Sequence, residues 1–121
     1  MGSGYLANIG AIPALISSGG LILADRLCHA SLIEGCRLSG ADVRIYRHND
    51  MEHLARLLSK RRVGRRTLIV TDGVFSMDGD LAPLGDLAAL GEAYQADLYV
   101  DDAHGTGVMG TAHIDAFLEL A

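Results

Sequence analysis

The sequence predicts an α/β fold, a mostly parallel sheet with flanking helices, and three observations carry that expectation. Short apolar runs bounded by glycine or aspartate (LILA at 21–24, TLIVT at 67–71, ADLYVD at 96–101) alternate with stretches of helical periodicity, the pattern of βαβ units. Glycine accounts for 15 of 121 residues, well above the ~7% of average composition, which suits many tight strand-to-helix turns. Half of the chain is hydrophobic and 21% is charged, enough apolar side chain for a buried core and too little net polarity for disorder.

The elements follow in order. Residues 4–17 (GYLANIGAIPALIS) place apolar side chains at helical spacing, so a helix is expected there, kinked or restarted near Pro13. LILA is short and apolar throughout, as a strand buried on both faces should be. A helix from His29 to Leu38 ends naturally before Gly40. Val43 to Tyr46 alternates as a strand does. Asn49 or Asp50 can cap a helix running to about Lys60, with Leu54, Leu57 and Leu58 on one face. TLIVT is the clearest buried strand, and the segment from Asp72 to Ala82 is expected to be a loop. A helix from Pro83 to about Tyr94 tolerates the proline in its first turn. The strand ADLYVD then leads into a glycine-rich loop, Gly105 to Gly110.

Several function classes are disfavoured. A net charge of −5 gives no support to a nucleic-acid partner. No apolar stretch approaches the ~18–20 residues that span a bilayer, and Met1-Gly2-Ser3-Gly4-Tyr5 shows no secretory signal. A cytoplasmic, globular chain without a membrane partner is expected. Cys28 and Cys36 lack CxxC spacing and are expected to be free thiols. The basic run Lys60-Arg61-Arg62 with Arg65-Arg66 could hold an anion. The alternative is a solvated helix end, where cations complement the macrodipole, and this is favoured because no aromatic residue is interleaved to stack a base.

Ligands in open parallel sheets bind beyond the C-terminal ends of strands, and three polar clusters fall there: Asp25 to His29, Asp72 to Asp80, and Asp101 to Gly105. Within the last, Gly105-Thr106-Gly107-Val108-Met109-Gly110 matches G-x-G-x-x-G, but Asp101-Asp102-Ala103-His104 intervene before it and no helix clearly opens on Gly110, so dinucleotide binding is disfavoured. Metal ligation by His48, Asp50 and His53, or by Asp101, Asp102 and His104, lacks a ligand spacing, and no metal is expected. A Ser76–His104–Asp101 hydrolase lacks the nucleophile elbow.

The segments GSGYLAN (2–8), DRLCHASLIEGCRLSGA (25–41), RHNDMEHL (47–54), VTDGVFSMDGDLAPL (70–84) and VDDAHGTGVMG (100–110) together resemble the α-oxoamine synthases, pyridoxal 5′-phosphate (PLP) enzymes of the aspartate-aminotransferase fold. The resemblance covers residues 2–110 and implies that residues 1–110 are part of the large domain of a PLP-dependent transferase. It implies that Asp101 faces the pyridine nitrogen, that His104 and Ser76 donate hydrogen bonds to the phenolic oxygen, and that His29 stacks on the ring. Gly4 and Tyr5 would offer backbone N–H groups to the phosphate. His29, Asp101 and His104 would be the catalytic residues. The implied reaction is a decarboxylative condensation of an amino acid with an acyl-CoA, L-alanine with pimeloyl-CoA in the branch serving biotin biosynthesis, by a homodimer. The alternatives are a relative that acetylates glycine, a reading kept open by Asp72 where many members carry Glu, or a non-catalytic remnant acting as an interaction module. The family's Schiff-base lysine lies downstream of its D-x-A-H motif, whereas Lys60 is the one lysine here. The tail 111–121 does not resemble the family's continuation. The chain is therefore expected to be an internal fragment, inactive by itself.

Overall fold

The computed structural model describes residues 10–75, 80–102 and 105–109. A first helix, α1, is helical over 10–15 and runs unbroken through Pro13. There follow β1 (Leu21–Asp25), α2 (Ala30–Leu38), β2 (Asp42–Tyr46), α3 (Met51–Lys60), β3 (Thr67–Asp72), the two-residue strands β4 (Val74–Phe75) and β5 (Asp80–Leu81), α4 (Leu84–Tyr94), β6 (Asp97–Asp102) and β7 (Gly105–Met109). The main sheet has the order β2-β1-β3-β6-β7. Its first four strands are parallel, as the alternating pattern predicts, and β7 returns antiparallel to β6.

Two segments expected to be loops contain strands. Val74–Phe75 and Asp80–Leu81 form a small antiparallel hairpin, anchored where Ala82 N donates to Gly73 O at 3.0 Å. Gly105–Met109 pairs with β6 from Asp102↔Gly105 to Leu98↔Met109. Glycine carries no side-chain period, so such a strand is set by the edge available to it rather than by its own pattern.

The core lies on both faces of the sheet. Leu21, Leu23, Ile69, Leu98 and Val100 pack with Leu54, Leu58 and Leu87 of α3 and α4. Ile22, Ala24, Leu68, Val70 and Tyr99 pack in a second cluster with Ile12, Ile16 and Leu32 and Cys36 of α2. Alternate residues of each strand thus feed opposite layers, which is why LILA and TLIVT read as continuous apolar runs. The helix ends match their sequence signals. Asp50 caps α3 by accepting from His53 N at 2.9 Å, and Gly40, just beyond α2, takes φ +77°, a left-handed conformation that glycine adopts without strain. Both cysteines are free, Cys36 buried and Cys28 half-buried.

The basic run is structural at Arg61, Arg65 and Arg66. Arg65 donates to Gly19 O (3.0 Å) and Gly20 O (3.2 Å), and Arg66 to Leu15 O (2.9 Å). Arg61 donates to Tyr94 O and lies over the Tyr94 ring, 5.6 Å from its centroid. These contacts tie the loop before β3 to neighbouring elements at the N-terminal edge of the sheet.

Candidate active site at the C-terminal edge of the sheet

Parallel pairing in register brings Asp72, the last residue of β3, opposite Asp101, the last but one of β6. The turn after β1 delivers His29 to the same place. Its backbone N–H donates to Asp72 Oδ2 at 2.9 Å, and its ring Nδ1 lies 2.7 Å from Asp72 Oδ1. One buried carboxylate therefore holds both the main chain and the ring of the residue preceding α2. Asp72 is almost fully enclosed, its side chain 2% exposed, while the His29 side chain is 52% exposed. The carboxylate is the fixed member, and the imidazole keeps about half of its surface open.

The charges in this group influence one another. The hydrogen bond it donates to Asp72 holds the His29 imidazole above its ordinary pKa, burial opposes this, and the carboxylates of Asp72 and Asp101 reinforce it. Burial pushes the Asp72 carboxyl above the usual carboxylate range, the hydrogen bonds from His29 pull it back, and nearby Asp101 raises it further. Because a carboxylate accepts and does not donate, Asp72 assigns the Nδ1 proton to His29. With His29 protonated, the three groups sum to a single negative charge. A ligand presenting a protonated ring nitrogen beside Asp101 would complement that charge, so the residues present fit a pyridinium ring.

A second buried carboxylate organises the neighbouring loop. Asp25, fully buried at the end of β1, accepts from Leu27 N (2.8 Å), Asn49 N (2.9 Å) and His48 Nδ1 (2.9 Å). Asn49 takes φ +52° to do so, a left-handed conformation that asparagine tolerates better than most residues. His48 and His53 are both half-buried, and His53 Nδ1 accepts from Arg47 N at 2.9 Å. Asp50, His48 and His53 are thereby committed to capping and to loop bonds. Among the described residues, no group of three or more His, Cys, Asp or Glu side chains could hold a metal ion.

Of the residues singled out in the sequence, His29 and Asp101 are brought to one sheet edge. Gly4, Tyr5, Ser76 and His104 lie outside the described residues. Sequence reasoning missed what Asp72 does. It treated the residue as a marker of substrate class, whereas its carboxylate binds His29. The available signal was an acidic residue ending a fully buried strand, since such a group requires donors.

Comparison with known proteins bears on the family and the fold. Residues 1–120 match the family described as aminotransferase class I and II. The 8-amino-7-oxononanoate synthase of Geobacter sulfurreducens is 61% identical over 108 residues, which is 89% of this chain and 28% of that protein. That of Alkalilimnicola ehrlichii is 58% identical over 108 residues, 89% of this chain and 27% of that protein. Among solved structures, serine palmitoyltransferase from Sphingomonas wittichii superimposes with a TM-score of 0.81 at 34% identity, covering 97% of this chain and 30% of that one. A PLP-bound serine palmitoyltransferase from S. paucimobilis gives 0.80 at 37%, covering 83% and 26%. The 8-amino-7-oxononanoate synthase of Francisella tularensis gives 0.63 at 25%, covering 99% and 44%. The chain thus spans less than a third of the length of these curated relatives.

Proposed function

The chain belongs to the aminotransferase class I and II family, and on that premise we propose that it carries part of the PLP cradle of an 8-amino-7-oxononanoate synthase. The observation that supports this most directly is the meeting of His29, Asp72 and Asp101 at the C-terminal edge of β3 and β6. PLP supplies an electron sink for charge developing at the Cα of a bound amino acid. Asp101 would hold a proton on the pyridine nitrogen, stabilising its charged form. His29, oriented by Asp72, would cover one face of the ring and keep Nε2 available to hold or move a proton near Cα. Ser76 and His104 would bond the phenolic oxygen, and the N–H groups of Gly4 and Tyr5 the phosphate.

The reaction would join L-alanine to pimeloyl-CoA. The α-proton leaves, a carbon–carbon bond forms to the acyl group, and CoA and CO₂ depart. The 61% and 58% identity to 8-amino-7-oxononanoate synthases supports this branch over a glycine-acetylating relative. Partners are accordingly an amino acid, an acyl-CoA and a second copy of the full enzyme. The exposed Leu27, Leu38 and Ile45 are apolar surface for which such an assembly would provide cover. No described helix is long and apolar enough to cross a membrane, consistent with a cytoplasmic enzyme.

Lys60 closes α3 and lines a cavity with Leu21, the first residue of β1. A five-residue strand separates the two edges by about 16 Å, so Lys60 cannot reach a ring held by Asp101. PLP titrated into this chain should bind without a covalent link. Borohydride reduction followed by peptide mass spectrometry should leave Lys60 unmodified, and Asp101→Asn should weaken binding by about tenfold. Equal affinity in that variant would remove the support for the cradle. Efficient turnover of L-alanine and pimeloyl-CoA by the chain alone would show that no further lysine is needed.

A further inference from the structure

The edge of the sheet opposite His29 carries a second feature that the PLP reading leaves unused. A cavity of about 130 Å³ opens there, lined by Arg44, Lys60, Arg61, Arg62 and Arg65. Asp42 is the carboxylate paired with this group, contacting Arg44 at 3.3 Å and Arg65 at 3.5 Å. Five cations against one carboxylate leave a strongly positive hollow. The C-terminal carbonyls of α3 offset this by roughly half a charge.

These cations differ in what else they do. Arg65 is occupied by the carbonyls of Gly19 and Gly20. Arg61 gives Nη2 to Tyr94 O, yet its Nη1 is buried with no hydrogen-bond partner, a donor that normally costs about 1–3 kcal/mol to leave unmet. Among the described residues, Lys60 and Arg62 have no side-chain partner at all, and both are exposed. The hollow therefore combines two guanidiniums held by main-chain carbonyls, Arg61 and Arg65, with two cations free to close on a ligand.

We propose that this hollow is an oxyanion site for a phosphate group, separate from the PLP cradle. Guanidinium forks match the oxygen spacing of phosphate and can bond it bidentately. The apolar wall formed by Leu21, Leu23 and Leu57 lowers the local dielectric and strengthens those bonds. The phosphate could be free or be carried as an ester by a nucleotide, and the chemistry of recognition is the same.

An ¹⁵N-labelled sample of the chain, titrated with inorganic phosphate and separately with adenosine 3′,5′-bisphosphate, tests the proposal. Saturable amide shifts confined to residues 60–65 and Arg44 are expected. The double substitution Lys60→Gln with Arg62→Gln touches no internal contact and should weaken binding by at least about tenfold, while Lys60→Arg should keep it. Tighter binding of the bisphosphate assigns the site to an ester, and equal binding assigns it to the free ion. Absence of saturation, shifts spread equally over Arg26 and Arg47 at the other edge, or unchanged affinity in the double variant would each overturn the proposal.

Discussion

Asp72 does more for the candidate site than its position at the end of β3 suggests, because it is bonded to His29 through two different groups. Replacing it by asparagine keeps the shape and an acceptor while removing the charge. The ¹H NMR titration midpoint of His29 should then fall toward its ordinary 6.5, and an unchanged midpoint would show that the pair does not set it. The sign for stability follows from the same shift. A folded-state pKa raised above the unfolded one contributes stability that is complete below the ordinary imidazole value and lost as pH rises through the raised value. Denaturant midpoints should decline across that window and decline less in His29→Gln. Asp25 makes a different kind of residue-scale argument. It is fully buried with three donors upon it, so Asp25→Ala should cost on the order of 3 kcal/mol in urea unfolding. A loss below about 0.5 kcal/mol would mean that the loop re-satisfies those donors elsewhere.

At the scale of elements, legibility followed the side-chain pattern. Helix α3 could be read because Asp50 signals its cap and Leu54, Leu57 and Leu58 signal its face; Leu54 and Leu58 are buried. Leu54→Ala should therefore cost about 3 kcal/mol, measured as a lowered denaturation midpoint with little change in slope. Strands β1, β3 and β6 were legible for the same reason, their burial on both faces forcing continuous apolar runs. The hairpin of β4 and β5 and the strand β7 were not. Val74–Phe75 is two residues long, too short to show a period, and Gly105-Thr106-Gly107-Val108-Met109 takes its conformation from the β6 edge. The Asp72–His29 bond escaped notice because its partners are 43 positions apart and only the parallel register of the sheet aligns them.

At the scale of the whole molecule, the parallel sheet separates two charged edges, an acidic one at the strand C-termini and a basic one at their N-termini. The first was visible in the sequence as polar clusters following each strand. The second was visible as a run of arginines, but its cavity depends on Arg44 of β2 meeting the end of α3, which no local pattern reveals. The separation gives a prediction that treats each edge as an independent ligand site. A ligand that binds only the folded state stabilises it by RT ln(1 + [L]/Kd), about 2.7 kcal/mol at a hundredfold excess over Kd. PLP should raise the unfolding midpoint accordingly, and Asp101→Asn at the same PLP concentration should lose most of that gain. The Lys60→Gln, Arg62→Gln pair should keep the gain, because its side chains lie beyond the far ends of the strands. If instead the basic-edge pair abolishes the stabilisation and Asp101→Asn preserves it, PLP is held through its phosphate at the N-terminal edge, and the carboxylates near His29 have another purpose.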